Sequence, residues 1–244
     1  MIVLASFVLL VLLTLAASES RRATLNRNRF DWALDWSGLI VQGIAIPVLQ
    51  ATVIYGLLSL FVPQAKGTLE VSPLWGFLLN FVAVDYLYYW NHRLLHSNEL
   101  WPVHAVHHTP QHIDVFIASR NTLWTPLLII YVWANGFFIF ILKDPAPFIL
   151  SASITASLDL WRHTRFAPKP GSPFHRILAA ILITPNEHLW HHSSDRIQSN
   201  FGANLSIWDR IHRTYYSPAG SPQSFGIPLP FDLKRKLLFP FKVD

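Results

Sequence analysis

The chain has 244 residues, of which 52% are hydrophobic and only 14% are charged, whereas about 25% are charged in ordinary soluble domains. With a mean hydropathy of +0.32, this composition excludes an ordinary soluble protein and indicates lipid as the solvent of much of the chain. The chain has no cysteine, which excludes disulfides, thiolate nucleophiles and cysteine-ligated zinc or iron–sulfur clusters. The net charge of +5 does not indicate nucleic acid, because the basic residues flank apolar runs and fit topology signals better.

The chain begins with an apolar run over residues 1–18, and four arginines follow at positions 21, 22, 27 and 29. This run is about long enough to cross a bilayer. A secretory signal is the alternative, since small residues at 16–18 would suit cleavage, but no Lys or Arg precedes the run. We therefore predict a retained first helix followed by cytoplasmic arginines.

Four further apolar runs lie at residues 34–61, 75–90, 124–142 and 148–161. The first of these carries Pro47, which is expected to kink it, and the loop at 62–73 that follows is nearly free of basic residues. The last two runs form a predicted hairpin. By the positive-inside rule, the 62–73 loop lies outside and the chain returns to the cytoplasmic face at His92.

The sequence thus predicts an all-α fold, an integral membrane helical bundle of about four to five apolar helices with a cytoplasmic, histidine-rich, metal-binding cap. We expect transmembrane helices in residues 1–74, a histidine-rich domain in residues 75–216 and a cytoplasmic tail in residues 217–244. The apolar segment 177–183 is too short to span and is expected at the membrane interface or under the cap. The expected location is a bacterial inner membrane or the endoplasmic reticulum, with the metal site on the cytoplasmic face.

All twelve histidines lie between residues 92 and 212, and most of them fall into three clusters. The clusters are His92 and His96; His104, His107 and His108; and His188, His191 and His192. On a helix, residues at i, i+3 and i+4 share one face, so each cluster is able to aim its ring nitrogens at a common point. The spacing therefore predicts a metal centre, and His163, just after the hairpin, is a natural further ligand.

The number of these histidines indicates more than one metal. A tetrahedral zinc takes four ligands, so nine imidazoles suffice for two metals with open positions. Imidazole binds iron, zinc, copper and nickel, and ligand type alone does not choose among them. Neutral nitrogen ligands that face an apolar layer, where oxygen and lipid concentrate, suit redox chemistry on an alkyl chain.

Three polar residues are candidates to support these ligands, because metal-bound imidazole usually donates its other nitrogen to a carboxylate or carbonyl. Asp85 lies seven residues before His92, with Tyr89 between them, and Asp159 lies four before His163. A contact between Asp85 and a buried Arg or another helix is the alternative. His175 and His212 are expected to be polar bystanders, and the role of His112 is left open because Pro110 interrupts its helix.

Four segments resemble the fatty acid hydroxylase superfamily, which includes sterol desaturases, C4-methyl sterol oxidases, fatty acid 2-hydroxylases and carotenoid hydroxylases. They are residues 85–96, 104–109, 184–192 and 200–210, and the resemblance covers residues 75–216 in order. It implies an all-helical integral membrane oxidoreductase in which two iron ions and O2 hydroxylate or desaturate a lipid. Carried over by position, the implied ligands are His92, His96, His104, His107, His108, His163, His188, His191 and His192.

A membrane lipid is the expected substrate, and a separate electron-donor protein, a reductase or small carrier, is the expected partner. The expectation of a separate donor rests on the lack of cysteines, of a glycine-rich dinucleotide fingerprint and of a recognisable haem domain in this sequence. The donor is expected to dock on the cytoplasmic face, where basic residues suit an acidic surface.

Two positions depart from the pattern of the superfamily. Many relatives have His where this chain has Asn121, and Ile211-His212-Arg213 replaces the usual Phe-Gly after the Trp-Asp-Arg motif. We expect the first change to alter a ligand or its surroundings and the second to alter only the cap.

Two other functions fit the residues less well. A zinc-dependent intramembrane hydrolase needs a general base near the metal, for which Glu187 beside His188 is the obvious candidate. A non-enzymatic metal carrier is the second alternative, for which nine closely set imidazoles are too many. Sterol, fatty acyl, carotenoid and ether lipids all require the same apolar cleft, so the substrate stays open.

Overall fold

In a computed structural model of the protein, which describes residues 1–240, every regular element is a helix. Within that range the predicted all-α class is confirmed, and extended backbone pairs only at three isolated bridges, Leu69–Leu142, Leu182–Leu205 and Ser193–Phe225. The end of the predicted cytoplasmic tail, residues 241–244, lies outside the described residues. The three predicted domains and the cytoplasmic orientation stay predictions.

The N-terminal part consists of three helices, α1 (Ile2–Ala16), α2 (Ser18–Leu25) and α3 (Arg29–Phe61), with a bend of 100° between the first two. Asn28 caps the N-terminus of helix α3, because its side chain accepts hydrogen bonds from the main-chain N–H groups of Phe30 and Asp31. Pro47 lies between two π-helical stretches, Val41–Ala45 and Gln50–Ile54. The helix therefore continues past the proline, because widened turns accommodate the missing N–H.

Helix α3 is the described helix that is by itself long and apolar enough to cross a membrane. Its 33 residues extend about 50 Å, and only 6% of its most apolar window is buried inside the protein. The bent pair of α1 and α2 forms a second candidate span if it is counted as one. The structure thus supports a helical membrane protein, and the predicted number of four to five spans stays a prediction.

A second bundle follows, made of α4 (Pro73–Leu78), α5 (Asp85–Leu95), α6 (Trp101–His104), α7 (Ile130–Ile141) and α8 (Ala146–Arg162). A π-helical stretch, Leu79–Val84, joins α4 and α5 into one continuous helix. Helices α7 and α8 pack together as the predicted hairpin. The apolar run at 124–142 breaks before α7, so this helix is about 18 Å long and too short to cross the hydrocarbon core alone.

The remaining helices are short: α9 (Pro173–Ile181), α10 (Pro185–His191), α11 (Ile207–Ile211) and α12 (Leu233–Leu238). Helix α9 buries His175 and Ala179 and exposes Phe174, Ile177 and Ile181 by more than 60%. This outward apolar face fits the expected interfacial position of the segment, which stays a prediction.

Helix α1 is part of the core. Its Leu10 packs in one cluster with Phe116, Ala118 and Leu160. A retained first helix, as predicted, fits this packing, because removal of α1 would expose the side chains that it covers.

Candidate metal centre

Nine histidines converge in two buried groups, and they are the same nine that spacing and resemblance singled out. In each group, one nitrogen from every ring lies within 4.8 Å of the others. The first histidine group is His92, His96, His104, His108 and His191, and the second is His107, His163, His188 and His192.

The two HxxHH clusters are each divided between the groups. His104 at the end of α6 and His108 in the turn after it belong to the first group, whereas His107 in that turn belongs to the second. In α10 the pattern is reversed, since His191 joins the first group while His188 and the following His192 join the second. The i, i+4 pair of each cluster therefore serves one group and the i+3 residue serves the other, which corrects the expectation of one common point per cluster.

Main-chain carbonyls fix four of the rings. In the first group, His92 Nδ1–H donates to Phe201 O (2.9 Å) and His191 Nδ1–H donates to Ser199 O (2.7 Å). In the second group, His107 Nδ1–H donates to Arg120 O (3.1 Å) and His163 Nδ1–H donates to Asp159 O (2.7 Å). A carbonyl only accepts, so each of these Nδ1 atoms carries the proton. The Nε2 atoms are left with free lone pairs that face the centre.

These lone pairs suit a shared cation. His163 Nε2 lies 3.3 Å from His107 Nε2 and 3.0 Å from His188 Nε2, and His107 and His163 have no proton to place between them. Among the described residues, both ring nitrogens of His96 and of His108 are buried without a hydrogen-bond partner. Unsatisfied buried nitrogens are costly, and a metal ion held by the first group would take one nitrogen of each of these two rings as a ligand. The residues of both groups therefore fit metals.

The environment also keeps the imidazoles in the form that binds metal. Burial lowers the pKa of His191 to about 3 and holds the pKa of His107 and His108 well below the usual value of 6.5. These rings are therefore neutral at physiological pH.

The predicted contact between Asp85 and a histidine is corrected by the structure. The Asp85 carboxylate accepts from Asn204 N (2.8 Å), Leu205 N (3.1 Å) and Trp208 Nε1 (2.8 Å). The acceptor for His92 is instead the carbonyl of Phe201, at the start of the same loop. The Asp85 carboxylate thus joins this loop to α5.

Tyr89 and Asp159 also differ from their predicted roles. The Tyr89 hydroxyl pairs with Thr214 Oγ1 at 3.0 Å, and its ring stacks on His212 with centroids 5.0 Å apart, so Tyr89 contacts the cap. Asp159 supports His163 as the spacing suggested, but through its carbonyl, while its carboxylate pairs with Arg162 at 2.5 Å.

His175 is not the exposed bystander that the sequence suggested. It is 3% exposed, and its Nε2 donates to Glu187 Oε1 at 3.0 Å. The same carboxylate accepts from Thr184 and Ser217. Glu187 is thereby committed to the N-terminal cap of α10, which argues against its use as the general base of a zinc hydrolase. His112 and His212 lie outside both histidine groups.

A cavity of about 630 Å³ leads to the centre. Its outer walls come from α1 and α3, and His104 of the first group and His107, His163 and His188 of the second lie along its inner wall. Asn121 also lines it, with a buried Oδ1 atom that has no hydrogen-bond partner in the described chain. The departure at Asn121 thus lies in the wall of the cavity that reaches the centre, and the departure at His212 lies outside both histidine groups. The expected effects of both departures stay predictions.

Sequence reasoning missed the main-chain groups that orient the rings. Asn200, between the Ser199 and Phe201 carbonyls, adopts a left-handed conformation with φ of 54°, which Asn tolerates better than most residues. Its side chain bonds Glu187 O and Tyr216 O. The sequence signal for these main-chain groups was the Asn-Phe-Gly segment at residues 200–202, which lies within the motif that resembles the superfamily. Its side chains carry no metal-binding chemistry themselves, so the segment was not a candidate for the site.

The fold and the site define an all-helical protein with a two-part histidine centre that a cavity lined by α1 and α3 reaches. The sequence model of the family described as Fatty acid hydroxylase matches residues 77–214, and the chain belongs to this family.

Several characterised proteins are similar to this chain. Alkylglycerol monooxygenase of Xenopus tropicalis is 31% identical over 148 residues, which are 59% of this chain and 31% of that protein. Ornithine lipid hydroxylase OlsE of Rhizobium tropici is 30% identical over 145 residues, 58% of this chain and 42% of that protein. Very-long-chain aldehyde decarbonylase GL1-6 of Oryza sativa subsp. indica is 29% identical over 208 residues, 78% of this chain and 30% of that protein. This chain thus spans less than half the length of these relatives. No solved structure matches it.

Proposed function

We propose that this protein is a membrane-bound, non-haem diiron oxygenase that hydroxylates a C–H bond of a lipid with O2 and externally supplied electrons. The observation that carries the proposal is the convergence of nine buried imidazoles in groups of five and four. Membership in the fatty acid hydroxylase family and the similarity to an alkylglycerol monooxygenase and a lipid hydroxylase support lipid oxidation. Desaturation begins with the same attack on a C–H bond and is the alternative outcome.

The two histidine groups are assigned to one iron each. Neutral imidazole is a good iron ligand, and Phe201, Ser199, Arg120 and Asp159 orient the rings through their carbonyls. When bound, the irons supply the power to activate O2 and abstract hydrogen. The protein contributes the position of the ligands and of the lipid.

The cavity explains how a lipid reaches the centre. Val3, Leu4 and Phe7 of α1 line its outer part, so an alkyl chain enters between apolar side chains without passing through water. Three of its four histidines belong to the second group, which supports a position of the reacting carbon beside that group. Close packing of the lipid in this slot fixes the carbon and excludes water from it.

The wall beside the second group is polar. Asp159 and Arg162 form an ion pair there, and Asn121 adds an amide oxygen that has no hydrogen-bond partner among residues 1–240. These groups suit a substrate whose polar part, or newly formed hydroxyl, lies close to the oxidised carbon. The proposal also includes a separate electron-donor protein. A cytoplasmic position of the centre is proposed on the grounds of the arginines around residues 21–29.

Metal analysis combined with lipid analysis tests the function. Protein purified without a metal-chelating resin is expected to carry iron at about two equivalents per chain. A host that expresses the chain is expected to gain a lipid that differs by one oxygen, or by two hydrogens for desaturation, and a host with His191→Ala is not. A single zinc that supports turnover, or unchanged lipids in a host with iron-loaded protein, would contradict the proposal.

A further inference from the structure

A buried network of charges joins the base of α3 to the segment that carries Arg120. Arg120 is only 1% exposed. Its guanidinium forms a bidentate ion pair with Asp35 of α3, in which Nε lies 2.6 Å from Oδ1 and Nη2 lies 3.0 Å from Oδ2. Asp35 also accepts from Arg27 at 2.5 Å, and Arg27 reaches Asp114 at 2.5 Å. Bidentate Arg–carboxylate pairs fix geometry as well as charge.

Helix α3 also contacts the main chain of the segment that carries Arg120. A Cβ atom added at Gly38 would lie 1.9 Å from the carbonyl oxygen of Ser119 and 3.2 Å from the nitrogen of Arg120. Only glycine therefore allows α3 to approach this peptide so closely. Asp35 and Gly38 lie one helical turn apart and contact the side chain and the main chain of consecutive residues.

The segment held in this way carries an acceptor for the second histidine group. The Arg120 carbonyl accepts the Nδ1–H of His107 at 3.1 Å, and the His107 Nε2 faces His163 at 3.3 Å. The orientation of His107 thus depends on where this carbonyl lies. Asp35 and Gly38 lie outside the family-matched residues 77–214.

We propose that Asp35 and Gly38 are positioning residues, which orient His107 in the second histidine group through the Arg120 peptide. The proposal rests on the proposed metal centre. It makes the membrane helix α3 part of that centre, and it predicts that a change in α3 weakens one metal site of the two.

Cobalt(II) titration of the metal-free, detergent-solubilised full chain, followed by visible absorption, tests this proposal. Wild-type protein is expected to bind two equivalents. Gly38→Ala is expected to weaken one of the two sites by about 10–100-fold, the usual effect of losing a ligand's outer partner, and to leave the other site unchanged. Gly56→Ala on the same helix is the matched control, because a Cβ there meets nothing within 4 Å.

Asp35→Asn provides a second variant without added bulk. It removes one of the two α3 carboxylates that pair with Arg120, the other being Asp31 at 2.6 Å. Asp35→Asn is expected to weaken the same site, whereas Asp35→Glu, which keeps the charge, is expected to restore part of the affinity. Folding is followed in parallel by thermal unfolding. Two normal sites in folded Gly38→Ala and Asp35→Asn, equal weakening of both sites, or failure of both variants to fold would each overturn the positioning role. Failure of the wild-type chain to bind two metals would instead overturn the proposed function.

Discussion

At the scale of single residues, the centre depends on which nitrogen of each ring carries the proton. His191 and His107 are matched in this respect, since each donates Nδ1–H to a carbonyl and belongs to a different histidine group. The helical spacing that brings the rings together does not determine this tautomer. Carbonyls from distant loops determine it.

Replacement of His191 or His107 by Ala is expected to abolish lipid oxidation. Each variant loses one ligand of one group, and we expect the affinity of that group for iron to fall by more than the roughly 10–100-fold caused by loss of an outer partner. Iron content and product are measured together. His112→Ala is the control, because His112 lies outside both groups, and equal loss in this variant would contradict the assignment.

His175→Ala is expected to lower stability rather than to remove a metal ligand. The change deletes one of the donors to the buried Glu187 carboxylate, which costs about 1–3 kcal/mol and lowers the melting temperature by roughly 2–12 °C. Thermal unfolding in detergent measures the shift, and iron-saturated protein is expected to keep both metals. Loss of one metal at saturating iron would show that His175 is more than a support of α10.

At the scale of elements, short segments are held by long-range contacts. Helix α10 has only seven residues, too few to be stable alone, and the Thr184–Glu187 capping box with His175 fixes its start. Helix α3 shows the opposite case, since most of its apolar window faces outward. Its orientation therefore depends on flanking charges.

The flanking charges predict the topology of the chain. Arg27 is neutralised by Asp35 and Asp114, but three arginines at residues 21, 22 and 29 remain exposed and outnumber the basic residues of the 62–73 loop. A reporter fused after residue 244 is expected to behave as cytoplasmic. A reporter inserted at Lys66 is expected to behave as external, and exchange of the two results would reverse the proposed orientation.

At the scale of the whole molecule, the cavity connects α1 and α3 to the histidine groups. Ala152 and Ala156 of α8 also line it. Under the proposed function, small side chains at these positions leave room in the cavity for the lipid.

Ala156→Phe is expected to reduce product formation by about 5- to 150-fold, because a ring forced into space that the substrate needs costs about 1–3 kcal/mol. Iron content is expected to stay at the wild-type level. Ala180→Phe, at an exposed position of α9, serves as the control for the added bulk. Unchanged activity in Ala156→Phe, with the control also unchanged, would place the lipid in a different part of the molecule.

The sequence by itself determined the helical class, the family and the nine converging histidines. Residue type and spacing along the chain are sufficient for these conclusions. Histidines at i, i+3 and i+4 can be recognised directly in the sequence, and apolar runs can be recognised from their composition. The prediction for His163 also came from its place in the sequence, just after the predicted hairpin.

Only the tertiary structure decided how these parts work together. It divided each HxxHH cluster between two groups, paired His92 with Phe201 across 109 residues, turned Asp85 toward the 204–208 loop, and buried His175 against Glu187. It also joined Arg120 to Asp35 across 85 residues. Such pairs have no periodic signature, since main-chain carbonyls are the same in every residue and only packing of distant helices selects which of them meets a given ring.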